Sequence, residues 1–338
     1  MLLSECSRVH LLFHVKHQKE VLPLAASKKK KPQEPLSRKV PKAALRIGGA
    51  LAFLLIIWML IEGSTVRLKS STLSLRDLPS VFDGTRVLYL SDLHINSLNT
   101  VNKVSALMKE LSRLNPDLIL LGGDYTNFDP IMRISAGTSG KSGVHALETE
   151  YRDLFFLSLA DFNPPLGKYG IAGENDNLLE RSAGTSLEDA MSLGGVTLLR
   201  DEAARIEKDG AHLTLVGVDD WSTGLQDTRT PAAQVSAKEC VLLLCHNPEA
   251  IPSLNNQPAS DGIWIDAALS GHTHGGGVRL FGRELFNPIG QNERFLAGWH
   301  KENSAKVLIS RGVGNEFFPL RLNASPEAHL ITLRRAIY

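Results

Sequence analysis

The chain has 338 residues, enough for one large α/β domain with an appendage, and 43% hydrophobic with 22% charged residues excludes both a disordered chain and a polytopic membrane protein. Its 37 Lys and Arg nearly balance 36 Asp and Glu, but unevenly: residues 1–46 hold 11 basic against 3 acidic residues, leaving 26 against 33 for the remainder. The positive charge is an arm, and the mildly acidic balance of the rest speaks against a nucleic-acid-binding surface.

The arm, residues 1–42, carries Lys28–Lys31, Arg38, Lys39 and Lys42 and is expected to be largely disordered. The apolar run Ile47–Ile61 follows, closed by Glu62. As a helix this run rises about 22 Å, short of a hydrocarbon core of about 30 Å. Including Ala43, Ala44 and Leu45, with Arg46 snorkelling and Trp58 near the opposite interface, closes most of the gap. The run lacks the polar face of a core helix, and Glu62-Gly-Ser-Thr-Val lacks a small-residue cleavage site. The expectation is an uncleaved, single-pass anchor over residues 43–62. The excess of Lys and Arg before it puts the N-terminus in the cytoplasm and everything after Glu62 outside the cell membrane.

Residues 63–84 read as a linker with a first strand. Beyond them, strands at Arg86–Ser91, Asp117–Leu121 and Lys168–Ala172 alternate with helical patterns at Thr100–Leu114, Glu148–Leu159 and Ser186–Leu193. Strands then crowd together at Thr197–Leu199, His212–Val218, Glu239–Leu244, Asp266–Ser270, Lys306–Ser310 and His329–Leu333. Early βαβ units followed by a strand-rich half predict an α/β fold of two packed mixed sheets flanked by helices. Ala136–Gly143 reads as a flexible insertion, a surface loop in preference to a lid. Cys240 and Cys245 sit five apart on one strand and face opposite sides, so they are expected as buried thiols and not as a disulfide. Cys6 lies in the arm.

Five strand ends close on metal-ligand residue types: Ser91-Asp92-Leu93-His94, Gly122-Gly123-Asp124, Gly173-Glu174-Asn175-Asp176, Cys245-His246-Asn247-Pro248 and Gly271-His272-Thr273-His274-Gly275. In an α/β sheet the carboxyl ends of strands converge on one crevice, so residues far apart in sequence meet there. Side chains at i and i+2, as in Asp92-x-His94, leave one face of an extended backbone and can grip one ion. A carboxylate such as Asp124 can reach two ions with its two oxygens, and the adjoining glycines let the backbone turn sharply. One such piece is commonplace. Five in order, each after an apolar strand, point to a metal site.

In these motifs the sequence resembles the calcineurin-like metallophosphoesterases, whose pattern is D-x-H, G-D, G-N-H-[DE], H and G-H-x-H, from about Thr85 to the C-terminus. Gly271–Leu280, Ser310-Arg-Gly-Val-Gly-Asn, Pro319-Leu-Arg-Leu-Asn and Pro326-Glu-Ala-His-Leu look like its membrane-associated bacterial branch, some of whose members cleave UDP-diacylglucosamine. The resemblance implies a four-layer α/β/β/α catalytic domain over residues 85–338 and two divalent ions, with Mn, Fe or Zn suited to imidazole and carboxylate ligands. It assigns Asp92, His94 and His274 to one ion, Asp124 to both, and His246 and His272 to the second. It also implies attack on phosphorus by a hydroxide held between the ions.

The third motif departs from the pattern. One register sets Glu174 where the family has a ligand Asn, and Asn175 where it has the His that serves the leaving group. The other makes Asn175 the ligand, followed by Asp176. Neither supplies a histidine, and Asn cannot transfer a proton at neutral pH. The expected activity is therefore hydrolysis of a phosphodiester or pyrophosphate bond, on a phosphorylated small molecule or lipid, by a monomer that binds no nucleic acid. The alternative is a non-catalytic membrane module that keeps the metals and binds phosphorylated envelope components. Asn127 reads as a loop cap, Arg279 and Arg311 as solvated, Asp219-Asp220-Trp221 as a strand end and Glu249 as a helix start.

Overall fold

The computed structural model describes residues 41–137, 140–280, 283–286, 293–316 and 318–336. The arm up to residue 40, with Cys6, and Thr138 and Ser139 of the insertion lie outside the described residues.

The apolar run forms one helix, α1 (Lys42–Ser64), of 23 residues. It is long and apolar enough to cross a membrane, and its apolar residues from Leu45 to Ile61 are exposed except for the half-buried Met59. Its rise is about 34 Å, enough for a hydrocarbon core of about 30 Å.

Two six-stranded mixed sheets follow. The first has the order β1 (Arg67–Leu75), β14 (Glu327–Arg335), β2 (Arg86–Leu90), β3 (Leu118–Leu121), β4 (Lys168–Gly170), β5 (Thr197–Leu198). Only the β14–β2 pairing is antiparallel. The second runs β12 (Gly298–Glu302), β13 (Ala305–Ile309), β9 (Ala267–Ser270), β8 (Val241–Leu244), β7 (Ala211–Gly217), β6 (Glu202–Lys208), with antiparallel pairs at both edges. A small antiparallel pair, β10 (Val278–Leu280) and β11 (Arg283–Phe286), stands apart. The helices after α1 are α2 (Val101–Ser112), α3 (Pro130–Ser135), α4 (Gly140–Leu157), α5 (Glu174–Ala183), α6 (Leu187–Leu193), α7 (Arg229–Ala233) and α8 (Ile251–Asn255).

The central strands are apolar at every position because both of their faces are covered. Val87, Tyr89, Leu118 and Leu120 point between the sheets to meet Leu213, Leu215, Leu242 and Leu244. Their neighbours Leu88, Leu90, Ile119 and Leu121 point the other way, onto Val104, Met108, Phe155 and Met191 of the helices. Val241, Leu243, Val307 and Ile309 pack outward against Ile251, Leu254 and Trp264. The expected sandwich of two mixed sheets flanked by helices is present. Cys240 and Cys245 are both buried and free; Cys240 joins the core between the sheets and Cys245 the outer one, as opposite faces require.

Some elements differ from expectation. The insertion expected as a loop at 136–143 is mostly helical where described, since α4 begins at Gly140, well before Glu148. Val144, Glu148, Arg152 and Phe155 recur at helical spacing and are buried, but two of the four are charged, which hides the stripe from a reading of hydrophobicity.

The last turn of α1 packs onto loops of the domain. Glu62 is buried, and its carboxylate accepts from the Ala324 N–H at 3.1 Å and the Ser325 hydroxyl at 2.8 Å. The Met59 carbonyl accepts from Arg321 N–H and the Gly63 carbonyl from Asn315 Nδ2. A Cβ at Gly63 would overlap the Pro319 carbonyl, whereas one at Gly48 or Gly49 would meet nothing. Gly63→Ala is therefore expected to cost about 1–3 kcal/mol, read from denaturant unfolding in detergent, with Gly48→Ala and Gly49→Ala unchanged.

Candidate metal centre

The carboxyl ends of β2, β3, β8 and β9 meet at one edge of the sandwich. The loops that leave them are laced by backbone hydrogen bonds: Asp92 N to Gly123 O at 2.9 Å, His94 N to Asp124 O at 3.0 Å, Gly271 N to His246 O at 3.1 Å and Gly314 N to Asp92 O at 2.7 Å. The turns are tight. Asp92, His94, Asp124, His272 and His274 all have positive φ, between 42° and 69°. Non-glycine residues adopt this left-handed backbone only where surrounding contacts over-determine it, at a cost of order 1–3 kcal/mol each, and such residues gather at functional sites. Glycine is needed at two points of closest approach. A Cβ at Gly271 would overlap the Asp92 carboxylate, and one at Gly173 the Asp124 carboxylate.

Two groups of donors result, each able to hold a metal ion: Asp92, His94 and His274, and Asp124, His246 and His272. All six residues are buried. In the first group Asp92 Oδ1 lies 3.9 Å from His94 Nε2 and 3.7 Å from His274 Nε2, and the two imidazole nitrogens are 2.9 Å apart. In the second, Asp124 Oδ2 lies 3.4 Å from His246 Nε2. The same oxygen is 3.6 Å from His94 Nε2, so one carboxylate faces both groups.

Hydrogen bonding fits these residues to divalent cations. His246 Nδ1 pairs with the Gly122 carbonyl at 2.7 Å, which makes Nδ1 the protonated nitrogen and leaves Nε2 buried without a hydrogen-bond partner. Burial disfavours a charged His246, but Asp124 and Asp92 outweigh it and raise its pKa well above the histidine range. Burial likewise opposes an ionised Asp124, yet His246, His94 and His272 hold its carboxyl far below the usual range. Carboxylates that stabilise a proton on His246 in this way also stabilise a metal ion. Burial and neighbouring positive charge lower the pKa of His272 and, further, of His274, which favours the neutral ligand form. Arg321, fully buried, donates to the carbonyls of His274 and Gly314, and its guanidinium lies 2.6 Å from His274 Nδ1.

The third motif sits at the start of α5. Asp176 accepts from the backbone N–H groups of Asp124 at 2.7 Å, Tyr125 at 3.0 Å and Gly173 at 2.8 Å. Asn175 gives its backbone N–H to Asp124 Oδ1 at 2.9 Å and its side-chain amide to Oδ2 at 2.8 Å. Glu174 is half-buried; burial, then Asp124 and Asp220, push its carboxyl pKa up. It belongs to neither donor group.

Two further carboxylates reach the centre. Asp220 was expected only to end a strand, yet it is buried; one oxygen takes four donors from Ser222 and Thr223, and the other has no partner. Its charge bears on His246, His272 and Glu174. It follows β7 just as the other site residues follow their strands, and that position could have flagged it. Glu316 Oε2 lies 3.6 Å from His94 Nε2 and 3.8 Å from His274 Nε2; no motif marks it. Asn127, expected as a cap of its own loop, instead donates its side-chain amide to the Glu316 carbonyl on the loop before β14. Arg311 is half-buried and ion-paired with Glu327 at 4.0 Å.

A buried carboxylate shared by two imidazole-carboxylate groups at strand ends is the apparatus of a metal-dependent phosphoester hydrolase. Residues 85–276 match the family model of the calcineurin-like phosphoesterases, and the chain belongs to that family. Its members use two divalent metals. The chain is 30% identical to phosphodiesterase YaeI of Escherichia coli, over 73% of this chain and 82% of the relative. It is 26% identical to the metallophosphoesterase YkuE of Bacillus subtilis, over 81% and 86%. It is 23% identical to a transmembrane protein with a metallophosphoesterase domain of Danio rerio, over 77% of this chain and 55% of that protein.

Two outcomes are expected. Mn²⁺ uptake near pH 7 should release protons, because His246 is held protonated, so calorimetric binding enthalpy should change with the ionisation enthalpy of the buffer. Asp176→Ala leaves three buried N–H groups unpaired and should cost about 3 kcal/mol in unfolding free energy, and should weaken metal uptake.

Proposed function

We propose that the chain is a membrane-anchored phosphoesterase that uses two divalent ions to hydrolyse a phosphodiester or pyrophosphate bond in a lipid-linked or nucleotide-linked envelope substrate. Asp92, His94 and His274 would hold the first ion, His246 and His272 the second, and Asp124 would serve both; Glu174, which stands outside both donor groups, would join the second ion only by turning its side chain. The observation that carries this reading is Asp124 Oδ2, set 3.6 Å from His94 and 3.4 Å from His246. Bound ions would neutralise phosphoryl oxygens and lower the pKa of water.

The chain's own groups then set the selectivity. Asn175, the candidate at the position where the family carries its catalytic His, supports Asp124 through two hydrogen bonds and has no proton to give a leaving group. General acid help is worth roughly 10²- to 10⁴-fold and matters most for alkoxide leaving groups. Anhydrides and activated diesters need it least. Beside Asn175 opens a cleft of about 430 Å³ whose lining includes Arg133 and Lys141, the His145–Glu148 pair, and the apolar Phe128, Val144, Leu178 and Leu179. With Glu148 paired to His145, Arg133 and Lys141 leave cationic groups beside an apolar wall, which suits a second phosphate carrying an apolar or sugar group. The name phosphodiesterase carried by the Escherichia coli relative is consistent with this class. For the anchor, the Lys and Arg excess before α1 supports an N-terminus in the cytoplasm and a site outside.

Purified protein with Mn²⁺ should turn over a nucleotide-diphospho-sugar faster than glycerol phosphate; the reverse order would refute the selectivity. Asp124→Ala should lower the rate by at least about 10³-fold, and Asn175→His should raise activity on alkyl esters. Arg133→Ala with Lys141→Ala should raise KM for the nucleotide-diphospho-sugar several-fold, with kcat nearly unchanged.

A further inference from the structure

Glu316 lies outside every motif discussed above, on the loop between β13 and β14. Its Oε2 stands 3.6 Å from His94 Nε2 and 3.8 Å from His274 Nε2. Asp92 Oδ1 stands 3.9 and 3.7 Å from the same two atoms, and Asp124 Oδ2 is 3.6 Å from the first. Donors that share one ion through bonds of about 2.0–2.2 Å are separated by about 3.0–3.5 Å for right-angled or tetrahedral pairs. Glu316 thus meets the first group's two imidazoles at the spacing Asp92 shows to them, while standing outside the three mutually close donors, so that its carboxylate would have to close on the ion from the imidazole side.

We infer that Glu316 is a further protein ligand of the first metal ion, joining Asp92, His94 and His274. The inference rests on the two-ion reading above. Its loop is positioned without help from the carboxylate. Asn127 holds the Glu316 carbonyl, while the neighbouring Asn315 donates to the Gly63 carbonyl and accepts from Arg321 Nε. The carboxylate is free to serve an ion. Its side chain retains 26% exposure, against none for Asp92 and His94, so it is the ligand on the solvent side. A third carboxylate around the first ion, after Asp92 and Asp124, shifts preference toward ions that accept oxygen donors, Mn²⁺ over Zn²⁺.

The experiment uses full-length protein in detergent, stripped by chelator and titrated with Mn²⁺, read by metal analysis and by electron paramagnetic resonance. Wild-type protein should take up an ion at each group and show the signal of a coupled pair. Glu316→Gln should fill one group as before and the other with 10- to 100-fold weaker affinity, so that isolated-ion signal replaces the pair at intermediate Mn²⁺. Glu316→Asp should recover part of that loss. Undiminished uptake and pair signal in Glu316→Gln would overturn the inference. So would a drop in the unfolding midpoint of the metal-free Gln variant that matched its loss of affinity, since that marks a structural role. Failure of the wild-type protein to bind any ion would instead overturn the two-ion reading itself.

Discussion

The Asp176 carboxylate gathers three backbone N–H groups, those of Asp124, Tyr125 and Gly173, and the centre depends on that knot. It joins the turn after β3 to the start of α5, and so fixes the carboxylate that stands nearest to both donor groups. Burial and the adjoining Asp124 charge push the acid of Asp176 up, to about 7, against the pull of its three donors. Two carboxylates this close in a dry setting repel each other, and positive charge beside Asp124 relieves that repulsion. A cation is therefore favoured by the same contacts that shape the loop. Asn175 strengthens the arrangement by bonding both Asp124 oxygens.

The second constraint is the backbone. Five of the six donor residues occupy left-handed conformations, which none would choose in a free chain. The cost is offset by the sandwich behind them, where apolar strands buried on both faces leave their ends no freedom to relax. A strand end turned back on itself presents its side chain toward the neighbouring loop instead of along the sheet. That geometry brings Asp92 of the first sheet against the His272 backbone N–H of the second, at 2.9 Å. The two sheets are thus joined at the site by a carboxylate as well as by the core between them.

Much of this was legible in the sequence because the relevant strands are short, continuous apolar runs that end at once in ligand residue types. Fold class, the order of the central strands' motifs and the convergence of Asp92, His94, Asp124, His246, His272 and His274 all follow from that coincidence. The edge strands do not announce themselves. β6 (EAARIEK) buries a single residue and β12 (GWHKE) none, so neither shows an apolar alternation. α5 is hidden for a related reason: its inward face carries Asp176 and Asn177 beside Leu179, because it faces the site. Glu316 escaped notice because its loop leaves β13 seven residues earlier, and only tertiary contacts from Asn127 and Asn315 bring it back.

The mounting of α1 bears on how such a centre is used. Arg321 gives its backbone N–H to Met59 in the last turns of α1, and its guanidinium to the carbonyl of His274, beside whose ring it lies. Glu62, also in α1, caps Ala324 and Ser325 a few residues on. One buried arginine therefore touches both the apolar helix and a candidate metal ligand, with no flexible linker between them. With α1 standing in a bilayer, the height of the centre above the lipid surface would be set by these contacts and not by tether length. A centre on a long tether samples a thick layer of solution and gains little for membrane-embedded substrates. A centre mounted rigidly on its helix would instead keep one fixed depth relative to whatever layer that helix enters, so the same contacts that place Arg321 against His274 would also set what the centre can reach.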